Sequence, residues 1–86
     1  MGVSLMRTAI EISLYPLDAD FIPPIQGFID RLRTHEQLDV LTNTMSTQVF
    51  GELDEVFRTL QREIKASFED GPRCVFVTKF LGPAST

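Results

Sequence analysis

The 86-residue chain has no tryptophan, one cysteine and one histidine. It also lacks any apolar run long enough to cross a bilayer. Each scarcity excludes something. Cys74 alone cannot close an intramolecular disulfide, and its place inside an apolar run reads as a buried thiol in a reducing compartment. A metal centre needs several His or Cys ligands, and His35 and Cys74 are too few and too far apart in sequence. The same separation leaves a cysteine nucleophile without a partner base. Eight basic residues against twelve acidic ones give a net charge of −4, and the basic residues are scattered rather than gathered into a stripe. Nucleic acid is therefore not an expected partner. Met1 to Arg7 contains neither the apolar stretch nor the cleavage site of a secretory signal, so the expectation is a cytoplasmic protein without membrane insertion.

What is present fits one small domain, 1–86, with residues 1–6 and 82–86 expected as loose ends. From Thr8 to Tyr15, Ile10, Ile12 and Leu14 alternate with Ala9, Glu11, Ser13 and Tyr15, which predicts a half-buried strand with a polar second face. A helix is expected from about Phe21 to Thr34, capped by Asp20, with Pro23 and Pro24 in its first turn and Ile25, Phe28, Ile29 and Leu32 as its buried stripe. Gly27 inside it marks either a close approach or a weak spot. His35, at the end of this helix, is expected in solvent.

Leu38 to Thr42 and Thr44 to Phe50 read as two strands joined tightly at Asn43-Thr44, hence an antiparallel hairpin. Gly51 to Glu69 has the strongest helical spacing, with Glu52, Asp54 and Glu55 in its first turn and Asp70-Gly71-Pro72 as its stop. Arg73 to Leu81 is a strand apolar on both faces.

The order strand, helix, strand, strand, helix, strand predicts an α+β, ferredoxin-like βαββαβ sandwich, with a four-stranded antiparallel sheet and both helices on one face. The other face is then open. It should carry Glu11, Ser13 and Tyr15, then Ser46 and Gln48, and one apolar row of the last strand. Two subunits stacked sheet against sheet would cover it, giving a homodimer or homotetramer. A solvated monomer face is the plainer alternative.

Three segments carry a family resemblance: Ile12-Ser13-Leu14-Tyr15-Pro16-Leu17, Met45-Ser46-Thr47-Gln48-Val49-Phe50-Gly51-Glu52, and Arg73 opening the last strand. Together they resemble the YkoF-like thiamine-binding family, in its single-domain form. The resemblance implies a domain that binds thiamine or its hydroxymethylpyrimidine half without chemistry. The chain departs from its single-domain relatives after Phe80, where Leu81-Gly82-Pro83 stands in place of a continuation into a basic residue.

An aminopyrimidine needs hydrogen-bond donors and acceptors beside an apolar surface. The candidate ligand-binding residues are therefore Glu11, Ser13, Tyr15, Ser46, Thr47 and Gln48, with no catalytic residue, no metal and no cofactor beyond the bound ligand. Tyr15 or Phe50 offers a ring to stack on. Thr47 shares the parity of Met45 and Val49 and has a core role as its alternative. Glu11 has a cross-strand ion pair with Lys79 or Arg73 as its own. The competing function is a small dimeric ferredoxin-like interaction or regulatory domain without a thiamine ligand.

Overall fold

The computed structural model describes residues 5–84. Its elements run β1 (Arg7–Pro16), α1 (Ile22–Arg33), β2 (Asp39–Thr42), β3 (Thr47–Glu52), α2 (Leu53–Asp70) and β4 (Cys74–Leu81). The four strands form one antiparallel sheet in the order β2-β3-β1-β4. This is the expected ferredoxin-like sandwich. Alternation fixes its two faces: Thr8, Ile10 and Ile12 of β1 and Thr47, Val49 and Gly51 of β3 are buried, while the residues between them are partly open. The core gathers Ile10, Ile12, Phe28, Leu32, Leu38, Val49, Val56 and Leu60, so both helices contribute to it.

Several boundaries differ from expectation for identifiable reasons. Asp20 does not cap α1; Phe21 occupies the cap position with no side-chain hydrogen bond. Asp18 instead takes the Asp20 amide, with N···Oδ1 at 2.9 Å, closing a local turn before the helix begins. The β2–β3 connection spans Asn43 to Ser46, because Thr42 pairs with Thr47. Asn43 Oδ1 accepts from the amides of both Met45 and Ser46, which satisfies two donors outside the ladder and delays β3.

Gly51 belongs to β3 and not to α2. A Cβ there would stand 2.6 Å from Leu38 Cδ2 and 3.3 Å from Val56 Cγ2, so any larger residue would force the Leu38 side chain to move and crowd α2 at Val56. Glu52 is the cap of α2, its carboxylate accepting from the amides of Asp54 and Glu55 at 3.0 and 3.2 Å.

Gly27 has no such reason. A Cβ there would meet only Arg31 Nη1, at an ordinary 3.7 Å. Gly27→Ala is therefore expected to stabilise the fold by about 0.5–1 kcal/mol. A higher urea midpoint in chemical denaturation would bear this out, and an unchanged or lower one would count against it.

The ends of the described chain are held by the sheet. The amide of Leu53 donates to Met6 O at 2.7 Å, and that of Ala84 to Arg7 O at 2.8 Å. The outermost residues expected as loose ends, 1–4 and 85–86, lie outside the described residues.

His35 is not in solvent. Its Nε2 donates to Glu63 Oε2 at 2.7 Å, and the two side chains are 18% and 8% exposed. Arg31 Nε donates to the other oxygen of the same carboxylate at 2.9 Å, tying α1 to α2. Cys74 is only half-buried, because β4 is an edge strand.

Candidate functional site

The register of the sheet decides which polar side chains meet. Glu11 lies opposite Gln48 on one side and Lys79 on the other, and Ser13 lies opposite Val77. Glu11, Ser13, Tyr15 and Gln48 therefore share the face away from the helices, together with Leu41, Phe50, Val75, Val77, Lys79 and Leu81. Ser46, in the hairpin turn, reaches onto this face: its Oγ donates to Glu11 Oε2 at 3.1 Å. Lys79 Nζ stands 3.6 Å from Glu11 Oε1, so the cross-strand ion pair is formed. Both charges are partly exposed, and such a pair contributes little stability, about 0–1 kcal/mol.

Two hollows adjoin this group. The first, about 440 Å³, lies at the end of the sheet where β1 runs out, between α1 and the Asn43–Ser46 turn. Phe21, Ile25, Phe28 and Ile29 form its apolar wall, and Ser13, Thr42, Asn43, Ser46 and Thr47 bring hydroxyl and amide groups. The second, about 260 Å³, lies on the open face and is lined by Glu11, Ser13, Tyr15, Met45, Ser46, Val77 and Lys79. Ser13, Tyr15, Met45 and Ser46 line both. The hollows thus meet around the strand ends, and together they fall in the size range of a small-molecule site.

The candidate residues separate accordingly. Ser13, Tyr15 and Ser46 stand at the junction, Thr47 reaches only the first hollow, and Glu11 only the second. Thr47 is itself buried, on the helix side of the sheet. Gln48 shares the open face but lines neither hollow. Phe50 lies with Arg7, Leu38 and Leu41 in a separate depression, away from the junction.

Reasoning from sequence missed the contribution of α1. Helical spacing reads Ile25, Phe28 and Ile29 as core, yet these residues also wall the first hollow. Phe21, about half exposed at the helix start, extends the same wall.

Chemically, the two hollows together offer an apolar wall, a tyrosine ring at the rim, hydroxyls that donate or accept, and one carboxylate, a set that suits a flat nitrogen heterocycle. Among the described residues, no three His, Cys, Asp or Glu side chains gather into a possible metal centre. No helix among them is long and apolar enough to cross a membrane.

Fold and site together define a ferredoxin-like domain with a ligand-sized hollow wrapped around one end of its sheet. The chain belongs to the YkoF-related family, whose model matches residues 7–80. Solved structures share the fold. A hypothetical protein from Methanocaldococcus jannascii is 24% identical with a TM-score of 0.79, over 94% of this chain and 84% of that one. A Streptococcus pneumoniae protein is 22% identical with a TM-score of 0.83, over 93% and 90%. A candidate thiamine biosynthesis/salvage protein from Thermotoga maritima is 16% identical with a TM-score of 0.79, over 86% and 81%. A search of curated proteins finds no match.

Proposed function

We propose that this chain is a non-catalytic, cytoplasmic binding protein for thiamine or its hydroxymethylpyrimidine half. The observation that carries the reading is the junction of the two hollows at Ser13, Tyr15 and Ser46. A pyrimidine placed there would rest its ring on the Phe21, Ile25 and Phe28 wall and offer its amino group and ring nitrogens to the hydroxyls. The Glu11 carboxylate, on the open side, suits the thiazolium cation. Family membership and the thiamine-related description of the Thermotoga relative support the same reading.

Isothermal titration of the full chain with thiamine and with hydroxymethylpyrimidine tests it. Saturable binding is expected for at least one of them. Ser46→Ala, which removes a hydroxyl common to both hollows, should weaken it about tenfold, in line with the loss of a hydrogen bond to a desolvated partner at about 1–2 kcal/mol. Gln48→Ala should weaken it less. Absence of heat for both compounds at millimolar concentration would sink the reading.

A second reading has its own observation. Tyr15, Leu41, Val75, Val77 and Leu81 are all exposed on the open face, an apolar patch that a second subunit stacked face to face would cover. We infer a homodimer or homotetramer through that face. If no ligand binds, an interaction or regulatory domain is the function that remains, and a monomeric mass in solution would argue for a different protein as the covering partner.

A further inference from the structure

The charges around the hollows bear on which form of the ligand fits. Among the described residues, the first hollow is lined by no acidic or basic side chain. The second has one ammonium, Lys79, already beside the Glu11 carboxylate. The end of α1 at the mouth would ordinarily attract an anion through its free amides. Here Pro23 and Pro24 remove two of those amides from the first turn, and Phe21 at the cap adds apolar surface. The nearby Arg33 donates to Thr42 Oγ1 at 3.2 Å but lines the depression beside β2, and Arg73 lines neither hollow.

From this arrangement, and resting on the binding role proposed above, we propose that the site takes the unphosphorylated alcohol and discriminates against its phosphate esters. A phosphate ester brings about 1.5–2 negative charges. Placed against the apolar wall it loses hydration with no cation among the described residues lining the hollow, and Arg33 is already engaged with the Thr42 hydroxyl. Placed on the open face it meets the carboxylate of Glu11 and must compete with it for Lys79. A neutral hydroxymethyl or hydroxyethyl group meets neither penalty and can exchange hydrogen bonds with Ser13, Ser46 or Asn43.

Titration of the full chain with thiamine and with thiamine diphosphate, in the same low-salt buffer, decides the matter. Thiamine is expected to bind at least tenfold more tightly. Equal affinity, or tighter binding of the diphosphate, would overturn the specificity while leaving the binding role intact. If neither compound binds, the specificity is overturned, and the binding role falls with it only if hydroxymethylpyrimidine also gives no heat. A gain-of-function variant probes the cause. Met45, 84% exposed in the hairpin turn and at the rim of both hollows, can become lysine without disturbing the core. Met45→Lys should narrow the ratio several-fold by improving diphosphate binding. An unchanged ratio in a folded variant would show that missing positive charge is not what excludes the phosphate.

Discussion

Phe28→Ala is expected to lower folding stability by about 3–5 kcal/mol, a large part of what a small domain possesses. Phe28 is 2% exposed. Its ring centroid lies 5.0 Å from that of Phe76 on β4, and Phe76 lies 5.8 Å from Phe68 on α2. One side chain of α1 thus begins an aromatic chain that links both helices to an edge strand. The guanidinium of Arg31 lies 5.9 Å over the same ring, so truncation also removes a cation–π partner from the α1–α2 tie. Urea denaturation is the measurement: the midpoint should drop with little change in slope. Phe57→Ala is the contrast. Phe57 is stacked on Phe80 at 4.9 Å but is half exposed, and its loss should cost only about 1 kcal/mol. Similar losses for the two variants would show that Phe28 is not the hub of the aromatic chain.

The second large effect is expected at Glu63. Its carboxylate accepts from Arg31 and His35, and Arg31 Nη2 donates further to Glu63 O at 3.0 Å and to Ser67 Oγ at 2.7 Å. Glu63→Ala leaves two donors without the carboxylate they share. The cost should be about 3 kcal/mol, at the lower end for breaking a buried pair, because the Arg31 side chain is 36% exposed and can rehydrate. Glu63→Gln keeps an acceptor for one donor and should cost about half as much. A double-mutant cycle with Arg31→Ala should show coupling of about 1 kcal/mol or more. Glu63→Ala within about 0.5 kcal/mol of the parent, the scale of an ordinary surface substitution, would contradict the account.

The strands and helices were legible because their periodicities are clear. Ile10, Ile12 and Leu14 announced both the strand and the direction of its core face, and the charged residues of α2, with the exception of the buried Glu63, fell away from its apolar stripe. What could not be read were features made by residues distant in sequence. Glu63 and His35 are 28 positions apart, and each alone reads as a surface residue. Gly51 looked like a helix start because nothing local reveals Leu38 and Val56 closing on it. The site was legible in its polar half only. Ser13 and Ser46 stood out as hydroxyls where aliphatic residues were expected, whereas Phe28 and Ile25 are indistinguishable from core until the hollow beside them is seen. Gln48 was read from parity alone, which places it on the open face but says nothing of how far along the strand the hollow extends.

The strand order has a consequence for synthesis. β1 is central, yet one of its two neighbours is β4, the last of these four strands to be made, and Thr8 Oγ1 donates to Leu81 O across 73 residues. Until β4 emerges from the ribosome, Ile10 and Ile12 have a partner strand on one side only, and the Phe28 ring lacks Phe76. The β2–β3 hairpin and α2 can form earlier, since their contacts are local. The sheet is completed only by pairing the earliest strand with the latest, and until then the nascent chain carries an open β-edge that chaperones would be expected to shield.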